Sequence, residues 1–118
     1  YIIYNGDTFL HRRAEKDIWE GLFELPLIET EHPMDFAELK ETPAFKELFG
    51  ETGDAVWSVE DSGVRHVLSH QILHATFYKV EIRAEPYTLL YMYEKTPITA
   101  VGDYPVPKLI YNYLSKMR

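Results

Sequence analysis

Strand-like and helix-like spacings of apolar residues divide this chain into successive blocks. Apolar side chains fill Tyr1–Tyr4 and recur through Thr8–Arg13, and the Asn5-Gly6 pair between them supplies the positive φ values of a tight primed turn. The chain is therefore expected to open with a β-hairpin. In Ile18-Trp19-Glu20-Gly21-Leu22-Phe23-Glu24-Leu25-Pro26, the residues Trp19, Leu22, Phe23 and Leu25 are expected to be buried and Pro26 to end any ladder. Helical spacing follows. Asp35 with Glu38 makes a capping pattern around Phe36 and Leu39, Thr42-Pro43 restarts the count, and Gly50 closes a second short helix.

From Ala55 onward β-branched and aromatic residues dominate, and Val56–Val59, Val64–Leu68, Leu73–Ile82 and Thr88–Tyr93 are expected as strands. Asp61-Ser62-Gly63, a Ser69–Gln71 turn and Ala84-Glu85-Pro86 separate them. A last helix follows Pro105-Val106-Pro107 and is expected from Lys108 to Met117, with Leu109, Ile110, Tyr113 and Leu114 on one face. The sum is an α/β (α+β) class: a mixed β-sheet sandwich with flanking short helices and a C-terminal helix.

Length and composition narrow this picture. The 118 residues suffice for one core, so residues 1–118 are expected to form a single domain. A strand pattern that begins at Tyr1, with no Met before it, is expected of a piece excised from a longer protein. Cysteine is absent, which excludes disulfides and thiolate metal ligands from this chain. No apolar run has the length of a membrane span or signal segment, and a cytoplasmic setting is expected. The net charge of −7 argues against stand-alone, sequence-independent binding to nucleic acid, whose affinity comes from Lys and Arg on phosphate. Any DNA contact has to be local, with another module supplying the main grip.

Polar chemistry concentrates in one place, Arg65-His66-Val67-Leu68-Ser69-His70-Gln71-Ile72-Leu73-His74. A serine at a hairpin tip donates and accepts at once, and a neighbouring imidazole reaches phosphate. Ser is also an ordinary turn residue, and the tripeptide alone does not separate the two uses. His66, His70 and His74 would align for a metal on a helix, but their neighbours predict strands and the turn breaks the alignment. No metal site and no catalytic residue is expected here. Arg12-Arg13-x-x-Lys16 is expected as a solvated turn, the acidic run from Glu24 through Glu29 and Glu31 as a face toward water or a partner, and Tyr87, Tyr91 and Tyr93 as strand residues.

Three segments together resemble the MutY-type adenine DNA glycosylases. Ile18–Pro26 is similar to that family's W-x-G-L-[WF]-E-[FL]-P block, Leu68-Ser69-His70 resembles its Phe-Ser-His loop, and Pro105-Val106-Pro107-Lys108-Leu109-Ile110 resembles its closing Pro-x-x-K helix. The resemblance implies the C-terminal, Nudix-like domain that recognises 8-oxoguanine opposite adenine in base excision repair. It implies double-stranded DNA holding that mispair as one partner and the N-terminal glycosylase domain of the same chain as the other, in a nucleoid-associated setting. The 4Fe-4S cluster and the base-removing acid belong to that N-terminal domain, so no cofactor is expected within residues 1–118. Ser69 and His70 carry over as lesion and phosphate contacts, with Leu68, Arg65 and His66 beside them. Leu68 departs from the family's aromatic residue and offers no π face for stacking.

The alternatives are a Nudix hydrolase and a non-catalytic protein-interaction domain of Nudix shape. The hydrolase box is G-x5-E-x7-R-E-U-x-E-E-x-G-U. Lys46-Glu47-Leu48-Phe49-Gly50-Glu51-Thr52-Gly53 matches part of its second half, with Glu38 upstream, but His32 replaces the first glycine, Lys46 the arginine and Gly50 a metal-binding glutamate. Pro43 also interrupts the helix that should carry the ligands. The box is degenerate, and hydrolysis is not the expected activity.

Overall fold

The computed structural model describes residues 1–14, 16–50 and 52–116. Asn5 (φ 49°) and Gly6 (φ 83°) form the expected primed turn, closed by reciprocal hydrogen bonds of 2.9 Å between Tyr4 and Asp7. The strands on either side then part. Strand β1 (Ile2–Ile3) runs parallel to β5 (Ile72–Glu81), pairing Ile2 with Val80, while β2 (Asp7–Arg12) enters a different sheet. One three-stranded sheet has the order β1-β5-β4, with β4 spanning Val56–Val67. The other has the order β3-β2-β6, with β3 at Phe23–Glu24 and β6 at Glu94–Pro97.

Both faces of β2 are covered, which is why the consecutive residues Thr8, Phe9 and Leu10 are all fully buried. Phe9 joins Ile2, Val80, Ile82, Leu48 and Leu89 in one apolar cluster. Leu10 joins Leu25 and Tyr113 in a second, with Phe77, Ile110 and Leu114 packed around it. The fold class expected from the sequence is the one observed.

The two short helices form where the capping residues place them. Asp35 accepts from the Glu38 amide at 2.8 Å to start α1 (Phe36–Lys40), and Thr42 accepts from the Phe45 amide at 3.2 Å to start α2 (Pro43–Phe49). Gly50 caps α2 as expected. Phe36, Phe45 and Phe49 close around Trp57 at ring distances of 4.9–5.2 Å and so clamp the base of β4. The last helix, α4 (Lys108–Ser115), docks through a stacked Tyr113–Phe77 pair, 4.3 Å between centroids. Met117, to which that helix was expected to run, lies outside the described residues.

Three expectations require correction. Thr88–Tyr93, expected as a strand, is helix α3 (Tyr87–Met92), which buries Leu89 and turns Tyr91 into solvent. Val56–Val59 and Val64–Leu68 are not separate strands, because β4 continues through Asp61-Ser62-Gly63 by two register shifts, with Gly63 at φ 65°. Trp19, Leu22 and Phe23 are half-buried, and among the four residues expected in the core from that block only Leu25 is fully inside. A 3-10 helix at Ile98–Asp103 and strand β6 were not anticipated.

The helical assignment of residues 87–92 predicts two opposite responses. Leu89→Ala should lower unfolding free energy by about 2–5 kcal/mol, whereas Tyr91→Ala should stay within about 0.5 kcal/mol of the parent. Urea denaturation of both variants measures this; equal losses would restore the alternating strand.

Candidate nucleic-acid interface

Strands β4 and β5 form an arm whose base is gripped on both sides and whose end is not. The pairs Arg65↔His74, His66↔Leu73 and Val67↔Ile72 lead to its tip, where the Leu68 amide donates to the Gln71 carbonyl at 2.8 Å. Ser69 and His70 are the exposed central residues of that turn. Neither has positive φ, in contrast to Asn5-Gly6, so the backbone there is one that most residues adopt. No hydrogen bond within the described residues engages the hydroxyl of the exposed Ser69.

The period of two sorts the other predicted residues onto opposite faces of the arm. Arg65 stands on the outer face opposite His74, beside exposed Val67 and Ile72. His66 and Leu68 share the inner, half-buried face, where the His66 ring lies 6.3 Å from that of Trp19. The arm thus brings Ser69 and His70 together, keeps Arg65 and His74 behind them on one side, and turns His66 and Leu68 to the other. The three histidines do not converge, and no group of three His, Asp or Glu side chains among the described residues is placed to hold a metal. Between Asp61 and Glu81 the chain carries no carboxylate side chain, although it has 19 in all. The arm therefore interrupts an acidic surface.

One buried charge supports the arm from below. Arg13 follows β2 directly and is only 7% exposed; its guanidinium donates to Glu24 and to Asp17, both at 2.6 Å. These contacts, first the hydrogen bond to Glu24, raise the Arg13 pKa further above its ordinary value. Asp17 in turn accepts from the Trp19 amide at 2.9 Å, and the Arg13 guanidinium lies 5.8 Å from the Trp19 ring centroid. The backbone hydrogen bond from Trp19, and next the one from Arg13, hold the Asp17 carboxyl below the usual carboxylate range. The solvated turn expected at Arg12-Arg13-x-x-Lys16 is corrected accordingly: Arg12 and Lys16 are exposed, but Arg13 is inside. Glu24, expected on a water-facing acidic run, is buried with it, while Glu29 and Glu31 are exposed as anticipated. The signal available in the sequence was an arginine four residues before an aspartate, with a glutamate flanked by Phe23 and Leu25.

Clefts of about 360 and 500 Å³ flank Arg13, one beside Gly21 and the other between His11 and Tyr93. Neither includes Ser69 or His70. A protruding tip suits entry into a groove, whereas a small substrate calls for enclosure.

The hydrolase box fares poorly as a metal site. Glu38 sits on α1 near His32 (3.8 Å), Lys46 on α2 pairs with Glu41 (3.5 Å), and Glu47 is exposed. Gly50 supplies no donor, and a Cβ there would collide with the Lys46 carbonyl oxygen. Glu51 lies outside the described residues. A hard divalent ion requires several converging oxygens, and the donor set on these helices does not fit one.

Residues 1–116 match a family described as NUDIX domain. No curated protein matches the chain. No helix among the described residues is long and apolar enough to cross a membrane.

The depressed Asp17 pKa fixes a pH response. Its contribution to stability is fully present above the unfolded-state value of about 3.9 and disappears as pH falls through the lower folded-state value. Asp17→Asn should therefore be less stable than the parent near neutrality, with the difference shrinking below about pH 4. Chemical denaturation across that range tests it, and a difference independent of pH would assign the loss to packing instead.

Proposed function

The chain belongs to the Nudix domain family, and we propose that it acts there as the reader of 8-oxoguanine opposite adenine, the C-terminal recognition domain of an adenine DNA glycosylase. The observation that carries this reading is an unengaged serine beside a histidine, exposed at the tip of a carboxylate-free arm in a chain of net charge −7.

The chemistry follows from what oxidation does to guanine. The intact base shows acceptors N7 and O6 in the major groove. Oxidation at C8 makes N7 an N–H donor and adds a carbonyl oxygen. A reader of the lesion needs an acceptor facing N7–H, which a hydroxyl provides and the cationic guanine readers Arg and Lys do not. Ser69 Oγ takes that role, and His70 contacts the adjacent phosphate. Arg65 and His74, on the outer face, stand where a strand running past the tip would pass. Leu68, half-buried, closes the turn through the hydrogen bond from its amide to the Gln71 carbonyl. Adenine removal belongs to the partner domain of the same enzyme, together with its iron–sulfur cluster, for which this chain has no thiolate to offer.

The degenerate box, with Gly50 at the position of a metal-binding glutamate, supports this reading over nucleotide hydrolysis.

Ser69→Ala should reduce the preference for an 8-oxoguanine:adenine duplex over guanine:adenine by roughly 1–3 kcal/mol, with little change for the undamaged mispair. Adenine release from both duplexes by the full enzyme measures this. An unchanged preference would remove Ser69 from base reading.

A further inference from the structure

The block Ile18–Pro26 has no direct part in that reading, yet its Trp19 meets the arm at His66, close to the tip. We propose that Trp19 is a positioning residue, a strut that sets the angle of the β4–β5 arm and thereby fixes where Ser69 lies; this role rests on the lesion-reading function proposed above.

The strut is continuous from the second sheet to the arm. Glu24 on β3 holds Arg13 at 2.6 Å, Arg13 holds Asp17 at 2.6 Å, and Asp17 holds the Trp19 amide at 2.9 Å. The Arg13 guanidinium lies 5.8 Å from the Trp19 ring centroid, and the His66 ring lies 6.3 Å from it. The chain between Arg13 and Leu22 is closed on itself by the Arg13 amide to the Leu22 carbonyl (2.8 Å) and the Gly21 amide to the Arg13 carbonyl (2.9 Å). Trp19 is thus mounted on a braced loop.

The position of the contact matters. Toward the base, the arm is held by Phe77 on Tyr113 and by Lys116 on Asp61 at 2.8 Å. Beyond Asp61 the strands run on to a tip whose outer face is in solvent. A two-stranded ribbon without support on at least one face is marginal in water. His66 is two residues from Leu68, on the inner face, so the Trp19 ring meets the arm at the last pair but one before the turn. A small rotation about the base would move Ser69 away from a base edge, and hydrogen-bond geometry tolerates little of that.

The test uses the full chain and reads the arm directly. In hydrogen exchange followed by mass spectrometry, Trp19→Leu should raise exchange in peptides covering residues 64–75 on the order of tenfold, with α3 and β1 unchanged. Trp19→Phe should restore most of the protection, since a ring is kept. The His66 ring-proton shifts should lose their ring-current displacement in Trp19→Leu and retain part of it in Trp19→Phe. Unchanged exchange across 64–75, or an equal rise throughout the chain, would overturn the proposal. On lesion preference, Trp19→Leu should cost less than Ser69→Ala and add nothing to it in the double variant, because both act through one hydroxyl. Additive losses would also overturn it. If Ser69→Ala leaves preference intact while Trp19→Leu loosens only the arm, base reading fails and the strut stands.

Discussion

A guanidinium taken out of water has to be neutralised where it sits, and Arg13 is taken out of water at the end of β2, between β3 and the loop that carries Trp19. Its partners come from different stretches: Asp17 four residues on, and Glu24 from the neighbouring strand. Satisfying both compels the chain from residue 13 to residue 24 to double back, which is also what places Trp19 against β4. Removing a single partner from such a buried group is destructive, because the charge that remains has no water to turn to. The conformation of this loop is therefore a consequence of charge pairing. Leu22 and Phe23 pack around it but are only half-buried.

Local chemistry made much of the fold readable. Asp35, Thr42 and Pro43 announce helices because their side chains act on amides within three residues, so sequence and structure are the same observation there. Asn5-Gly6 likewise forms its turn. The parting of the two strands on either side of that turn was not readable, since β1 finds its ladder partner in Val80, far along the chain. Residues 87–92 misled for a different reason. Tyr, Thr and Leu fit an alternating strand, but the buried member is Leu89, covered through a helical face against Phe9 and Leu48. Tertiary packing overrode a weak propensity. Strand β6, with Glu94, Lys95 and Pro97, carries too little apolar signal to be seen, although Thr96 inside it is almost completely buried.

The candidate site divides in the same way. Ser69 and His70 were readable because a turn between two alternating stretches must expose its central residues. The distribution of Arg65 to one face and His66 to the other followed from the period of two only once the register was known. Arg13 was missed since a basic residue beside another in a turn usually stays in water. Locally the two differ only in what lies four residues on, Asp17 for Arg13 and Lys16 for Arg12; the burial is completed by Glu24, which the β2–β3 pairing of His11 with Glu24 brings alongside and whose carboxylate bonds Arg13.

Electrostatics links the base of the arm to its tip. A chain of net charge −7 would repel a polyanion if its carboxylates lay near the point of contact. While Glu81 at the far end of β5 is exposed, on the β4 side the acidic residues at the root of the arm are paired, Glu60 with Lys79 at 3.4 Å and Asp61 with Lys116 at 2.8 Å. Beyond them come only Arg65, histidines and neutral side chains until Lys79. The protein is acidic as a whole yet not along the β4–β5 arm, and the helix α4 that anchors the arm also leads into the cation at Asp61. Undocking of that helix would thus remove the Tyr113–Phe77 contact and uncover the Asp61 charge at the root of the arm in one event.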